Sequence, residues 1–512
     1  MAESDLAQRV HDALDTDPET FRERVEEDVS TILAEIDAGT FDNPQGIVGL
    51  EYEFYAVDRG ERPRYTEPGG EGSLARVPRR LLSYVGFEKE LGLHNAEMST
   101  SPDPLNDSGL QAQYHEVRAR LDAADGPMSA EGLRLVSDGM WTLPPEGETA
   151  STYLGDSVEM DGVRLATNMA DSARYHAMAN SDGTVVGDLE APNVSLSADT
   201  VMPESLITSI QPHYQVPQAR NLPEYLRYAL RIAGPLLALS VNSPFFPADL
   251  YDEGVDGERI LAEGHQENRI HVFESVLNPE GIEKVCFPPD VNTVEEAVRR
   301  VAEDETVVPM RVETGTRFDD EFAHFRHKHG TYWRWVRPVF GGASKSAANA
   351  RIEFRPLPAQ PTVKDVVALQ ATFAGLLVAL KRTSHPVRRM RWGTAESNFY
   401  AAAEGGLGAD LTWITRDGVE TEDTELLYDD LFALATEGLR SQGVENAATY
   451  IDPLRARVEA ATTPSSWKRE RVREKLDAGE SFERALGATQ REYIQKQSET
   501  LLEDTFADWI AE

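Results

Sequence analysis

Two short segments of the chain carry charged side chains at every second position. Glu51 and Glu53 alternate with apolar residues in IVGLEYEFYAVD, and Arg351, Glu353 and Arg355 do so in ARIEFR. If each segment is a β-strand, its charges share one face of a sheet. Two adjacent carboxylates repel, and a hard divalent cation such as Mg²⁺ is the usual partner that stabilises them. The pattern predicts a site lined by charges; the alternative is an exposed strand face with solvated glutamates.

The residues after Arg355 predict how this strand is attached to the core. Three prolines between positions 356 and 361 prevent further strand pairing. Thr362 is a predicted helix N-cap, with Asp365 in the first turn. The helix Val366–Leu380 is apolar almost all round, so we expect it to be buried beneath the sheet.

A third segment, TSIQPHYQV at 208–216, alternates in the same way. It places Gln211, His213 and Gln215 on one strand face. A single histidine is more often a hydrogen-bonded core residue, whereas three polar residues on one face favour a ligand-binding role.

Composition limits the partners. The chain has 88 acidic and 50 basic residues, for a net charge of −38, which argues against nucleic acid and anionic membranes as partners. Only nine of the basic residues are lysines, and this acidic, lysine-poor composition is typical of halophilic proteins. The single cysteine, Cys286, excludes an internal disulfide or cysteine-based zinc site within the chain and is expected to be a core residue. The N-terminus is polar and no apolar run is expected to be long enough to span a membrane, so we expect a cytoplasmic protein.

Several other catalytic motifs are not supported. GGASKS at 341–346 does not have the glycine spacing of a phosphate-binding loop and is expected to be a hairpin loop. The spacing of His324, His327 and His329 fits neither one helix face nor one strand face, which argues against a zinc site. Dinucleotide-binding and serine-hydrolase fingerprints are missing from the sequence.

The predicted elements indicate an α+β fold in which an antiparallel sheet curves into a cup with buried helices on its outer face. We expect an N-terminal helical segment at 1–40, a catalytic domain at 41–385 and a helical region at 386–512. In the first, Phe21, Val25, Val29, Ile32 and Ile36 form an apolar stripe at helical spacing.

The motifs GLEYEFYAVD and RIEFR, followed by a proline-rich turn with PTV and an apolar helix, resemble the glutamate–cysteine ligase family. The closer likeness is to its branch of carboxylate–amine ligases, which are distantly related to glutamine synthetase. The resemblance runs from Ile47 to Leu502 and implies that the cup is of the glutamine-synthetase type. One departure is that the family often has Gly-Thr-His-Pro where this chain has Ser137–Trp141.

The resemblance also implies roles for individual residues, with Mg²⁺ (or Mn²⁺) and ATP bound in the cup. Glu97, which precedes STSPDP, corresponds to another family carboxylate, and Arg269 to an arginine near the substrate. Arg174 could meet a carboxylate or phosphate, the alternative being surface ion pairing. The expected roles are metal binding for Glu51, Glu53, Glu97 and Glu353, catalysis for Arg355 and Arg269, and ATP or substrate binding for Gln211, His213, Gln215, Arg174 and Arg351.

The implied reaction is ATP-driven amide formation through γ-glutamyl phosphate, with cysteine as the leading acceptor. The partners are then small molecules, namely glutamate, an amine and ATP, and a homo-oligomer is left open. The alternatives are a γ-glutamyl ligase for another amine, a metal-dependent amidohydrolase, and a non-catalytic binding homologue. The departure at Ser137–Trp141 is the reason for two of these alternatives, another acceptor amine and a non-catalytic homologue.

We predict that folding and activity need molar salt, because the acidic excess makes the folded chain repel itself. The Debye length falls to about 3 Å at 1 M salt, which screens that repulsion. Thermal melts across a KCl series test this, with sucrose of matched osmolality as the uncharged control. Full stability in about 0.1 M salt would contradict it.

Overall fold

The computed structural model describes residues 2–60, 70–181, 187–278 and 281–511. Within these residues the largest element is a nine-stranded sheet in which every paired strand is antiparallel. Its strands are β1 (Ile47–Asp58), β2 (Leu74–Ala75), β3 (Glu88–Lys89), β4 (Asn95–Ser99), β5 (Asp103–Pro104), β6 (Leu133–Val136), β11 (Ile210–Gln215), β12 (Val336–Gly341) and β13 (Asn349–Phe354). Three small hairpins are formed by β7 (Ser157–Met160) with β8 (Val163–Ala166), β9 (Leu189–Ala191) with β10 (Val194–Leu196), and β14 (Trp413–Ile414) with β15 (Glu420–Thr421).

The main sheet is organised around β1. Its strand order is β12-β13-β11-β1-β4-β3, and β2, β5 and β6 pair with further parts of β1. Because β1 is 12 residues long, it can pair with several shorter strands along its two edges. The sheet curls into a half-barrel, which confirms the expected α+β class with a cup-shaped antiparallel sheet.

Helices surround this sheet and form most of the C-terminal part. They are α1 (Ala2–Leu14), α2 (Pro18–Asp37), α3 (Arg79–Leu82), α4 (Asp107–Ala130), α5 (Ala150–Gly155), α6 (Ala173–Met178), α7 (Leu222–Ser240), α8 (Gly257–Glu263), α9 (Arg269–Leu277), α10 (Val294–Glu303), α11 (Ala323–His329), α12 (Val363–Thr383), α13 (Trp392–Gly405), α14 (Thr424–Ser441), α15 (Ala448–Glu459), α16 (Pro464–Asp477), α17 (Phe482–Thr500) and α18 (Phe506–Ala511).

Helix α12 lies beneath the sheet, as predicted. Its N-cap Thr362 accepts a hydrogen bond from the Asp365 backbone N–H at 3.2 Å. The ring of Phe354 on β13 stacks on that of Phe373, with centroids 4.5 Å apart. Gln370 donates to the backbone oxygen of Gly49 at 3.0 Å, which links the helix to the N-terminal part of β1. The apolar face of the sheet is therefore closed by this helix.

One sequence-based expectation about apolar runs is wrong. By length and composition α12 could cross a membrane, although 89% of its most apolar window is buried inside the protein. Its burial against the sheet accounts for its composition.

The N-terminal segment consists of two helices rather than one. Asp17 is the N-cap of α2, and its side chain accepts a hydrogen bond from the Thr20 backbone N–H at 2.8 Å. Pro18 occupies the first position of α2. The predicted apolar stripe of α2 is buried throughout. It packs against α10 and α11, where Asp28 accepts from the backbone N–H of Phe325.

The hairpin that carries ARIEFR also forms as expected. Trp333 and Trp335 precede β12, which begins at Val336 and pairs with β13 through its whole length. The loop between the two strands contains GGASKS, which confirms that this motif is a hairpin loop.

A buried ion pair fastens the C-terminal helices to α12. Arg457 on α15 lies 2.8 Å from Asp365, and both side chains are fully buried. The second Asp365 oxygen accepts from the backbone N–H of Phe506 at the start of α18. One carboxylate in the first turn of α12 therefore joins three helices.

We expect Arg457→Leu to lower the free energy of unfolding by about 3–5 kcal/mol, because Asp365 would remain buried without its counter-charge. Chemical denaturation measures this. The control is Arg455→Leu on the same helix, whose pair with Asp429 is solvent-exposed. That variant should lose less than about 1 kcal/mol. Equal losses in the two variants would show that burial of the Arg457 pair is unimportant.

Candidate active site

The face of the sheet opposite α12 carries the alternating polar residues, and we call it the charged face. Strand pairing arranges them in rows, because residues that are directly opposite in antiparallel strands project to the same side. One row joins His213, Glu353 and Arg337 across β11, β13 and β12. On the other side of β1, Glu53 is directly opposite Glu97.

Glu353 is the centre of an ion network on this face. Its Oε1 accepts from Nε of Arg337 and from Nη1 of Arg355, both at 2.8 Å. Arg337 is itself held by the backbone oxygens of His329 and Tyr332. Burial opposes ionisation of Glu353, but the two arginines outweigh it and hold its pKa well below the usual range. Glu353 is therefore a carboxylate that fixes two guanidinium groups.

A second chain of contacts joins Glu51, His213 and Arg351. Arg351 Nε donates to His213 Nδ1 at 3.1 Å, and His213 Nε2 lies 3.3 Å from Glu51 Oε1. The arginine donor requires Nδ1 to be the acceptor, so the ring proton is on Nε2 and faces Glu51. Burial would raise the pKa of Glu51, but His213 lowers it overall. Glu51 is thereby kept as a carboxylate.

Gln211 bridges the two charge systems. Its Nε2 donates to Glu53 Oε1 at 2.9 Å, and its oxygen accepts from Arg355 Nη1 at 3.0 Å. The other Glu53 oxygen accepts from the backbone N–H of Ser209. Gln215, by contrast, donates to the backbone oxygen of Gln45 at 2.8 Å.

Two adjoining cavities open on the charged face. The larger, about 650 Å³, is rich in arginine, and its charged lining is Arg317, Arg326, Arg337, Arg351, Glu51, Asp319 and Glu353. The smaller, about 360 Å³, is rich in glutamate, and its charged lining is Glu51, Glu53, Glu90, Glu97, Glu204, Arg174 and Arg355. Glu51 lines both cavities, so a molecule in one can meet a molecule in the other at this residue.

The glutamates of the smaller cavity repel one another. Burial and then neighbouring carboxylates raise the pKa of Glu90 to about 7. The same causes raise the pKa values of Glu97 and Glu204 well above the usual range. Such a set of oxygen donors suits a hard divalent cation. In the described residues, however, no three acidic, histidine or cysteine side chains are grouped closely enough to hold a metal by themselves. A Mg²⁺ ion here would complete its shell with water and substrate oxygens.

The two remaining predicted arginines lie at different depths. Arg174, at the start of α6, lines the smaller cavity and donates to the backbone oxygen of His327 at 2.9 Å, and burial lowers its pKa to about 10. Arg269 lines neither cavity. It lies behind Arg355, donates to that residue's backbone oxygen at 3.1 Å, and packs over the ring of Trp335.

Sequence reasoning missed several residues of these cavities. Glu90 and Glu204 come from a loop and a short turn, so no periodicity marks them. Arg337 shares the alternation of β12 with Val339 and could have been found from that strand. His329, the residue before the turn that leads to β12, donates from Nε2 to the Pro338 backbone oxygen at 2.9 Å, and burial lowers its pKa to about 3.

The segment that departs from the family pattern lies on the other face of the sheet. Tyr52, which points away from the charged face, donates to Ser137 Oγ, and Asp138 accepts from Lys468 and Gln490 of the C-terminal helices. Both residues are fully buried. Their side chains therefore tie α16 and α17 to the sheet.

Comparison with solved structures finds distant similarities. Glutamate–cysteine ligase from Francisella tularensis in complex with AMP is similar at a TM-score of 0.49 and 13% identity, covering 90% of this chain and 91% of that one. A bifunctional glutathione synthetase from Pasteurella multocida gives a TM-score of 0.46 and 11% identity, covering 92% of this chain and 55% of that one. Similarity at this level is too low for residue roles to be carried over. Comparison with curated proteins gave no match.

The family comparison is decisive because it covers most of the chain. The profile of glutamate-cysteine ligase family 2 (GCS2) matches residues 47–500, a range that contains both charged strands and the helices behind them. The chain belongs to glutamate-cysteine ligase family 2 and is an ATP-dependent ligase that forms amide bonds.

Proposed function

We propose that this chain is a glutamate–cysteine ligase, which joins the γ-carboxylate of glutamate to the amino group of cysteine. The observation that supports this best is the pair of cavities that share Glu51. An arginine-rich cavity suits the phosphates of ATP, and the adjoining cavity suits the amino-acid substrates. The reacting groups would then meet beside Glu51.

The chemistry requires activation of the carboxylate. In the proposed first step, a γ-carboxylate oxygen of glutamate attacks the γ-phosphorus of ATP and releases ADP, leaving γ-glutamyl phosphate. In the second, the amine attacks the acyl carbon, inorganic phosphate leaves, and the nitrogen loses a proton. Both steps develop negative charge on phosphoryl oxygens, which arginine side chains stabilise.

Arg337 and Arg355 suit that task because Glu353 fixes both guanidinium groups before substrate arrives. Such preorganisation avoids reorientation of the side chains during the reaction. Glu353 was expected to bind metal, but its Oε1 is shared by the two arginines, so we assign it to positioning them. Arg351 would contact ATP from the wall of the larger cavity.

Glu51, Glu53 and Glu97 are the residues that would hold Mg²⁺. When bound, the ion would neutralise phosphate charge and orient the transferred group. Gln211 and Ser209 already orient the Glu53 carboxylate by hydrogen bonds, and Glu97 faces it from β4. Arg174, which lines the smaller cavity, would bind the α-carboxylate of an amino-acid substrate there.

ADP release in the presence of Mg²⁺ and ATP tests the reaction. We expect release to require glutamate and to increase with cysteine, and mass spectrometry to detect γ-glutamylcysteine. With glutamate alone, hydroxylamine should trap the acyl phosphate as a hydroxamate. Turnover of amides without nucleotide would instead indicate an amidohydrolase, and nucleotide binding without ADP release a non-catalytic homologue.

We expect Glu353→Gln to lower kcat/KM by a factor on the order of 10², because the neutral amide no longer fixes the charges of Arg337 and Arg355. Initial rates with saturating ATP measure this, and thermal melts check the fold. The matched control is Glu88→Gln, an exposed glutamate on β3 directly opposite Glu97. A near-normal rate in Glu353→Gln would show that Glu353 is not needed for catalysis.

The acceptor is tested by competing amines. If the site recognises the thiol, cysteine should exceed alanine and 2-aminobutyrate by at least about tenfold in kcat/KM, or roughly 1.4 kcal/mol of transition-state binding. Each amine is assayed with the same ATP and glutamate concentrations. A smaller ratio would mean that the chain is a γ-glutamyl ligase for another amine.

A further inference from the structure

A positively charged segment interrupts this acidic chain. Between Asp365 and Glu396 the sequence contains no acidic residue, although acidic residues make up 88 of the 512 in the chain. The basic residues in this interval are Lys381, Arg382, Arg388, Arg389 and Arg391. Lys381 and Arg382 lie in the last turn of α12, and the three arginines lie between α12 and α13.

Arg388 and Arg389 from this segment line one pocket together with Arg227 from another helix. The pocket has a volume of about 520 Å³ and is lined by Pro223, Glu224, Arg227, Val291, Asn292, Arg388 and Arg389. None of these residues lines either cavity of the charged face. Helix α7 supplies Arg227, and the turn after α12 supplies the other two arginines. The pocket is thus built from segments distant in the chain.

The acidic groups around this pocket are too few for its cations. Glu224 is paired with Lys381 and lies 3.6 Å from Arg388. Asp290 pairs with the buried Arg231 and lies 3.5 Å from Arg227. At the rim, Glu296 accepts a hydrogen bond from the backbone N–H of Asn292, but it already forms an ion pair with Arg300.

The arginines of the pocket remain available to a ligand. Within the residues that the structure describes, the side chain of Arg389 forms no ion pair or hydrogen bond and is exposed. Arg388 is 41% exposed and Arg227 is 34% exposed, so neither guanidinium is enclosed by protein. The carboxylates of Glu224 and Asp290 are therefore shared among four nearby cationic side chains. The guanidinium groups of Arg227, Arg388 and Arg389 can still bind an anionic ligand.

We propose that this pocket binds a small polyanion, a molecule with several phosphate or carboxylate oxygens. Guanidinium groups bind such oxygens in pairs, and three of them around one pocket favour a ligand with more than one charged group. The volume suits a ligand of the size of tripolyphosphate or citrate. In a chain of net charge −38, attraction of a polyanion requires such a local concentration of arginine.

Isothermal titration calorimetry with tripolyphosphate and with citrate tests the proposal, at the lowest salt that keeps the protein folded. We expect one site whose affinity falls about tenfold or more in Arg388→Gln and in Arg389→Gln, each of which removes a charge-assisted contact. Tighter binding of tripolyphosphate would assign the site to phosphate ligands, and tighter binding of citrate to carboxylates. Either result supports the proposal.

Two controls separate this pocket from other positive charge. Arg382→Gln removes an arginine that is 52% exposed and lies outside the pocket, so its affinity should stay within about twofold of the unaltered protein. The same titrations in Arg351→Gln test for binding in the larger cavity of the active site, and the pocket's signal should persist there. Equal weakening in Arg382→Gln, loss of binding in Arg351→Gln alone, or no binding of either anion would overturn the proposal.

Discussion

The pairing of Glu353 with Arg337 and Arg355 is the interaction on which the charged face depends. Three charges on neighbouring strands would be unfavourable in isolation, since each loses hydration. Here a single carboxylate oxygen accepts from both guanidinium groups, and backbone oxygens satisfy Arg337 further. Gln211 then links Arg355 to Glu53, so the network extends across the sheet to the glutamate-rich side. The charges are thereby held in position without a bound ligand.

That face can exist only because the opposite face is anchored to a large apolar core. Helix α12 fills the space beneath β1 and β13, and Phe354 and Phe373 stack where strand and helix meet. The C-terminal helices are joined to this core by buried ion pairs, Arg457 with Asp365 and Lys468 with Asp138. Loss of one partner of a buried ion pair is strongly destabilising, so packing arrangements that separate these partners are disfavoured. The helical C-terminal part therefore supports the sheet from behind.

Positive charge is distributed unevenly over the protein. In a chain with 88 acidic residues, arginines are concentrated around the larger cavity of the charged face and around the pocket between α7 and the turn after α12. In the first place the arginines are balanced by Glu51, Asp319 and Glu353. In the second, fewer carboxylates are available. Arginine side chains thus lie in two different electrostatic environments, one balanced by carboxylates and one with an excess of positive charge.

The local pattern of the sequence determined which residues share the charged face. Side chains alternate along a strand regardless of its partners, so Glu51 with Glu53, and Gln211 with His213, could be assigned to one face in advance. The cap at Thr362 and the burial of α12 were predictable for the same local reason. Strand register, loop paths and domain packing are long-range, and only the tertiary structure decided them. Glu90 and Glu204 lie in the smaller cavity, and Arg269 lies behind Arg355. Ser137 and Asp138 lie on the opposite face of the sheet. Each of these positions depends on contacts with segments that are distant in the chain, so local sequence could not determine them.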